Sequence, residues 1–142
     1  MFIIIITAFI ISGCSSSMAE AAAPRVMLNN RPINFEVDPF IMEDRVMVPM
    51  RAIFEALGAE VEWDPQISSV TARSGSDMVV LTIGSRTAFV FNSQSSGAEA
   101  VDLDAPPVIV QDRTMVPLRF VGESLNADVS WDGNQRIVYI TK

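Results

Sequence analysis

The chain has 142 residues, with 17 acidic and 10 basic side chains and a formal net charge of −7. It contains no histidine and a single cysteine, Cys14, which excludes Ser-His-Asp and Cys-His catalytic arrangements and most zinc sites. We therefore expect no cofactor. The negative charge opposes binding to nucleic acid or to anionic lipid, so we also expect no nucleic-acid partner.

The first segment has the features of a bacterial secretion signal. Residues 1–13 carry no charge, and the apolar run at 2–11 is too short to span a bilayer. The sequence Ile11-Ser12-Gly13-Cys14 resembles the lipobox of bacterial lipoproteins, in which the cysteine is lipidated and becomes the new N-terminus. We therefore predict a signal peptide at 1–13 and lipidation of Cys14.

Residues 14–25 are mostly small and polar and are predicted to form a tether between the lipid anchor and the domain. The alternative is ordinary secretion with cleavage after Ala21 or Ala23, where alanines stand at A-x-A spacing. The first interpretation places the chain at the extracytoplasmic face of the cell membrane, and the second places it in the medium or the cell wall.

The next residues predict two short hairpins. Val26 to Leu28 and Arg31 to Phe35 flank Asn29-Asn30, which is typical of a tight hairpin turn. Pro39 to Met42 is a short apolar strand that turns at Glu43-Asp44 into the segment that follows.

That segment occurs twice in the chain. DRVMVPMRAIFEALGAEVEWD covers residues 44–64, and DRTMVPLRFVGESLNADVSWD covers residues 112–132, at a constant offset of 68 positions. A repeat of this length defines an architectural unit before any single residue is considered.

Each copy predicts a strand, a short helix, a stop and a second strand. Pro49 and Pro117 are predicted to be the first helical residues, because proline lacks the N–H that would be unpaired there. Gly58 and Asn126 are predicted to end the helices in the left-handed conformation. The apolar stripes at helical spacing are Met50, Ile53, Phe54 and Leu57 in the first copy, and Leu118, Val121 and Leu125 in the second.

After each stop, apolar and acidic residues alternate as in a half-buried strand. Trp63 alternates with Glu60, Glu62 and Asp64, and Trp131 occupies the equivalent position of the second copy. We expect both tryptophans to belong to the core beneath the helix; the alternative is a sugar-stacking platform. The turns that follow begin at Asp64 and, in the second copy, at Asp132.

The remaining sequence completes the fold prediction. Residues 78–83 are the most hydrophobic strand and should lie centrally, whereas residues 93–100 form a small, polar loop. We therefore predict an α+β, internally duplicated domain at 26–142, with repeats at about 26–84 and 87–142. In each repeat, antiparallel β-sheet hairpins pack on one short helix.

The repeated pattern resembles the copper amine oxidase N-terminal-like domain, also called the stalk domain. The resemblance implies a non-catalytic stalk or interaction module from the envelope of Gram-positive-type bacteria. Glu43-Asp44 and Gln111-Asp112 stand where the family usually has Asn-Gly. The matching positions are Arg45, Val48, Pro49, Arg51, Glu55 to Ala59, Val61, Trp63 and Asp64, and again Arg113, Val116, Pro117, Arg119, Glu123, Leu125, Ala127, Val129, Trp131 and Asp132.

Few side chains suggest catalysis or metal binding. Copper amine oxidation requires histidine ligands and a tyrosine-derived quinone, but the chain has no histidine and its one tyrosine, Tyr139, lies in a predicted strand. The acidic strand face could serve a carbohydrate hydrolase or bind calcium, although a solvated outer face explains the same pattern. Met47, Met50 and Met115 are expected at core positions of the strands and helix, where they fill gaps in the packing.

Two arginines are spaced for ion pairs on the helices. Arg51 precedes Glu55, and Arg119 precedes Glu123, by four positions, which is the less favourable order for a helix. We therefore hypothesise that these arginines hold a group beyond the helix, such as Asp64, Asp132 or a loop carbonyl, in a structural clamp; a binding role is the alternative.

Together these features predict a non-enzymatic, extracytoplasmic module that occupies essentially the whole mature chain. Its expected partner is an envelope protein, a second copy of itself or wall material, and the lipid anchor supplies the contact with the membrane. The rival hypothesis is a binder or hydrolase of cell-wall carbohydrate that uses the strand face with Glu62 and Asp64.

Overall fold

The computed structural model describes residues 22–93 and 96–142. The predicted signal peptide, Cys14 and the tether as far as residue 21 lie outside the described residues. Arg25, predicted to belong to the tether, is instead the first residue of a strand, because its backbone N–H donates to the carbonyl of Arg136 at 2.9 Å.

Thirteen strands and two helices follow one another within the described ranges. In chain order they are β1 (Arg25–Leu28), β2 (Arg31–Pro32), β3 (Phe40–Met42), β4 (Arg45–Pro49), α1 (Met50–Ala56), β5 (Glu60–Asp64), β6 (Ser69–Ser74), β7 (Asp77–Thr82), β8 (Thr87–Phe91), β9 (Glu99–Asp102), β10 (Val108–Val110), β11 (Arg113–Pro117), α2 (Leu118–Ser124), β12 (Asp128–Asp132) and β13 (Ile137–Thr141).

The strands form three sheets, with orders β12-β13-β1-β2, β10-β11-β4-β3 and β5-β6-β7-β8-β9. The predicted central strand, β7, is the middle strand of the five-stranded sheet. β1 runs parallel to β13, whereas the other neighbouring strands pair antiparallel. A mostly β structure with two short helices is compatible with the predicted α+β class.

The two sequence copies meet at the antiparallel pair β4 and β11. Val48 lies opposite Val116, Pro49 lies opposite Met115, and Met47 lies opposite Pro117. Because equivalent residues are 68 positions apart, this register is symmetric about the Val48–Val116 pair. The hairpins that flank this pair, β3–β4 and β10–β11, are therefore equivalent in the two copies.

The helices begin one residue later than predicted. Pro49 has φ −59° and ψ 118° and is both the last residue of β4 and the N-cap of α1. Pro117 has φ −62° and ψ 119° and occupies the same place before α2. The prediction that the prolines are helical is wrong, because pairing between β4 and β11 keeps their ψ extended.

The helix stops are as predicted. Gly58 and Asn126 have φ of +86° and +59°. The N–H of Gly58 donates to the carbonyl of Glu55 at 3.0 Å, and the next N–H, of Ala59, donates to Phe54 at 2.9 Å. The second helix makes the matching bonds. Both ends are therefore Schellman motifs, which satisfy carbonyls that the short helices leave unpaired.

The turns into β4 and β11 take a conformation that most residues avoid. Glu43 and Asp44 have φ of +50° and +61°, and Gln111 and Asp112 have the same pair of values. Two successive positive φ angles define the type I′ turn that suits a right-twisted hairpin. The predicted hairpins thus form without the usual Asn-Gly.

The predicted apolar stripes are buried in one main core, to which all three sheets contribute residues. Phe54 is fully buried, and Gly122 stands at the equivalent position of α2. A Cβ on Gly122 would lie 2.3 Å from Cγ2 of Val129, so α2 approaches β12 more closely than a side chain allows. Met47, Met50 and Met115 are also buried, as predicted.

A candidate interaction surface formed by two equivalent grooves

Both tryptophans are more exposed than expected. Trp63 is 40% exposed and Trp131 is 39% exposed, so the prediction that they belong to the core is wrong. Each lies on an edge strand, β5 or β12, and therefore has a neighbouring strand on one side only. Their partners across the ladder, Val70 and Val138, are buried, which leaves each indole at the open border of the core.

Trp63 lines the first groove, which has a volume of about 720 Å³. Met50 and Arg51 border this groove at the start of α1, and Ile109 and Arg113 border it from the β10–β11 hairpin. The groove therefore combines side chains from both sequence copies.

Trp131 lines the second groove, which has a volume of about 260 Å³. Leu118 and Arg119 border it at the start of α2, and Ile41 and Arg45 border it from the β3–β4 hairpin. Each groove thus takes its tryptophan and helix start from one copy and its isoleucine and second arginine from the other.

The grooves are equivalent position by position, because every one of these residues has its counterpart 68 positions away. Ile41 and Ile109 are 42% and 54% exposed, which is unusual for isoleucine beside a core. The equivalent pairs are Ile41 and Ile109, Arg45 and Arg113, Met50 and Leu118, Arg51 and Arg119, and Trp63 and Trp131.

The arginines of the two hairpins join the sequence copies. The Nε of Arg45 lies 2.8 Å from the carboxylate of Asp104, and Arg113 pairs with Glu36. Glu36 and Asp104 are themselves 68 positions apart. The hydrogen bond from Arg113 and the positive charge of its guanidinium lower the pKa of Glu36. The same hydrogen bond and the negative charge of Glu36 raise the pKa of Arg113.

The arginines of the helices do not form the predicted clamp. Arg51 lies 3.6 Å from Glu55, and Arg119 lies 4.0 Å from Glu123. All four side chains are more than half exposed. The clamp hypothesis is wrong, because each arginine contacts a glutamate on its own helix, and the guanidinium groups remain accessible at the groove rims.

Asp64 and Asp132 hold the turns that follow the edge strands. A carboxylate oxygen of Asp64 accepts a hydrogen bond from the N–H of Gln66 at 2.9 Å. Asp132 accepts from the N–H groups of Asn134 and Gln135 at 3.0 and 3.1 Å. In the repeated Trp-Asp pair, the tryptophan lines a groove and the aspartate stabilises the adjacent turn.

Four residues of this surface carry no local sequence signal of their role: Ile41, Ile109, Glu36 and Asp104. The 68-residue offset links Ile41 to Ile109 and Glu36 to Asp104, and this signal could have marked them as equivalent positions. It could not have shown that each hairpin reaches across to the other copy, because that contact depends on the β4–β11 pairing.

The described side chains form neither a metal cluster nor a membrane-spanning helix. Within residues 22–93 and 96–142, no three His, Cys, Asp or Glu side chains come together as a metal site. In the same ranges, no helix has the length and apolar character needed to cross a membrane. Indole, aliphatic and guanidinium groups, which line both grooves, are typical of surfaces that recognise other molecules.

The fold and its two grooves define a small, mostly β module. The family model of the copper amine oxidase N-terminal domain matches residues 27–140, and the chain belongs to this family. The domain that gives the family its name is a non-catalytic, stalk-like module.

The chain is also similar to a protein named "Protease inhibitor" from Brevibacillus choshinensis. The two are 29% identical over 89 residues, which cover 62% of this chain and 25% of that protein. The chain thus spans about a quarter of the length of this curated relative.

Proposed function

We propose that this protein is a non-catalytic interaction module of the bacterial cell envelope that binds a protein partner, or a second copy of itself, through the two grooves. The observation that carries the proposal is the paired exposure of Trp63 and Trp131 at equivalent positions. Tryptophan and arginine dominate the binding energy of protein interfaces, and each groove presents both beside an exposed isoleucine.

The proposal includes an internal duplication, with repeats at about 26–84 and 87–142. The constant offset of 68 positions and the symmetric register about Val48 and Val116 support it. A duplicated binding domain would offer two similar sites on one chain, and a partner with two matching sites would bind more tightly by avidity.

The proposal also places the domain outside the cytoplasm, on a lipid attached to Cys14 after removal of residues 1–13. The lipobox-like sequence supports this arrangement. Incorporation of radiolabelled palmitate that is lost in Cys14→Ser would support the anchor, and equal labelling of both proteins would contradict it.

The experiment for the proposed function is chemical cross-linking of the chain in envelope preparations, followed by identification of the captured protein. The Trp63→Ala/Trp131→Ala variant should lose the specific product. Phe89→Ala is the matched control, because Phe89 is a 44% exposed aromatic residue outside both grooves. Equal capture by all three proteins would contradict the proposal. Sedimentation of the same proteins separates self-association from binding to another protein.

The name of the Brevibacillus choshinensis relative suggests the partner class to test first. Proteases incubated with the chain should be inhibited if the shared 89-residue region carries the activity that the name describes. Inhibition that is lost in the tryptophan double variant would identify a protease as the partner.

A second candidate function is binding of cell-wall carbohydrate. The half-exposed indoles favour it, because aromatic rings stack on sugars, and the acidic face of β5 adds hydrogen-bond acceptors. Peptidoglycan pull-down that is abolished by Glu62→Gln or Asp64→Asn would support this candidate over a protein partner.

A further inference from the structure

The strands that carry the tryptophans are open on one side. β5 begins the five-stranded sheet and pairs only with β6, and β12 begins a four-stranded sheet and pairs only with β13. In the part of the chain that the structure describes, no strand pairs with their outer N–H and C=O groups. An exposed edge of this kind is a template for an additional strand.

The two faces of β5 differ in chemistry. Val61 and Trp63 face the core side and line the first groove. Glu60, Glu62 and Asp64 face the other side and are exposed. None of the ion pairs formed among the described residues involves these three carboxylates. A bound strand would therefore meet negative charge on one face. On the other face it would meet a groove that contains Trp63 and Ile109, with the guanidinium groups of Arg51 and Arg113 at its border.

We propose that the β5 edge binds an extended segment of a partner protein that alternates basic and apolar residues. The segment adds a strand to the sheet through backbone hydrogen bonds. Its basic side chains lie beside Glu60 and Glu62, and its apolar side chains enter the first groove between Trp63 and Ile109. Alternation follows from the period of two in a strand, and edge-strand addition is an established mode of peptide recognition. This inference rests on the proposed function and specifies which kind of segment the partner protein presents.

The β12 edge provides an internal comparison. Its outward positions are Asp128, Ser130 and Asp132, so it carries two carboxylates where β5 carries three, and its groove is smaller. A basic segment should therefore prefer the β5 edge. Trp63 should be more important than Trp131 for its binding.

The probe is a short blocked peptide that alternates lysine and valine, titrated into the purified chain and followed by backbone amide NMR shifts. Saturable shifts should concentrate at Glu60 to Asp64. Affinity should fall at least tenfold for Trp63→Ala and for the exposed-residue variant Glu62→Lys, and less for Trp131→Ala. It should also fall as added salt shortens the Debye length from about 30 to about 3 Å.

Two matched peptides test the mode of binding. One has glutamate in place of lysine and should bind at least tenfold more weakly. The other is N-methylated at every second residue, and is made in two versions that methylate either the odd or the even positions. At least one version should not bind, because its methyl groups replace the N–H donors that would face β5. Equal binding of all peptides, or shifts centred away from β5, would overturn the inference.

The outcome is separable from the proposed function. If the tryptophan double variant loses its envelope partner but the lysine–valine peptide does not bind, the strand-addition inference fails and the interaction module stands. If the peptide binds at β5 but envelope capture is the same for all variants, the proposed function fails, and the inference fails with it because it assigns the partner of that site.

Discussion

Val48 of β4 lies directly opposite Val116 of β11, and these two residues are 68 positions apart in the sequence. Pairing of equivalent residues makes the contact between the sequence copies symmetric. It explains why Arg45 reaches Asp104 while Arg113 reaches Glu36. It also brings an isoleucine of each hairpin to the groove of the other copy, so neither groove is complete without both copies.

The Glu36–Arg113 ion pair should make stability depend on pH. The pKa of Glu36 is lowered in the folded state from its ordinary value of 4.5, so the pair stabilises the fold above that value. This contribution is lost as the pH falls through the lowered pKa. Glu36→Gln should therefore be less stable than the native chain near neutral pH, and the difference should shrink in acid. Urea unfolding across this range measures it.

Glu55→Gln is the control for that measurement, because Glu55 is also exposed but lies 3.6 Å from Arg51 on its own helix. Its effect should be smaller than that of Glu36→Gln near neutral pH. A Glu36→Gln difference that stayed constant from neutral to acidic pH would contradict the assignment.

Gly122→Ala should destabilise the fold by about 1–3 kcal/mol, as overpacking of a core does. The added methyl would meet Cγ2 of Val129 at 2.3 Å. Thermal or urea unfolding measures the change. Combining it with Val129→Ala should make the cost of Gly122→Ala much smaller, because the opposing methyl is removed. An unchanged cost in that background would show that the close approach is not the cause.

Gln111→Asn should stabilise the chain. Gln111 has φ of +50°, a conformation that costs most L-residues about 1–2 kcal/mol, and asparagine tolerates it better. We expect recovery of roughly 0.5 kcal/mol or more in urea unfolding. Gln135→Asn is the control, since Gln135 lies in a turn without a positive φ and the same substitution should there be nearly neutral.

Truncation of a tryptophan should cost less stability than truncation of the core phenylalanine. Phe54 is fully buried, so Phe54→Ala should destabilise by about 3–5 kcal/mol. Trp63→Ala and Trp131→Ala should each cost less than half as much in unfolding experiments. Equal losses would mean that the indoles contribute to the core as strongly as Phe54.

Local signals predicted the short-range structure well. Gly58 and Asn126 mark the helix stops, and Asn29-Asn30 marks a hairpin turn, because each depends on backbone conformation within a few residues. The stripe that contains Phe54 identified the buried face of α1. These features needed no knowledge of the neighbouring elements.

The errors concern contacts between distant segments. The alternation of apolar and acidic residues shows which face of β5 carries Trp63. It does not show that β5 is an edge strand, whose face is only half covered. The preference of proline for the first helical position predicts that Pro49 is helical. Pro49 instead pairs with Met115 of β11, and this contact cannot be read from local sequence. Arg51 is a different case. Its spacing from Glu55 indicates the local pair that forms, and the less favourable order of that pair wrongly suggested a more distant partner.

The proposed function depends on the partial exposure of both tryptophans, and acrylamide quenching of their fluorescence tests this exposure most directly. The chain contains two tryptophans, so Trp131→Phe reports on Trp63 alone and Trp63→Phe reports on Trp131 alone. We predict substantial and similar quenching of both indoles, at rates between those of a buried indole and those of an exposed tryptophan peptide. Blue-shifted emission that resists acrylamide in either variant would contradict the account.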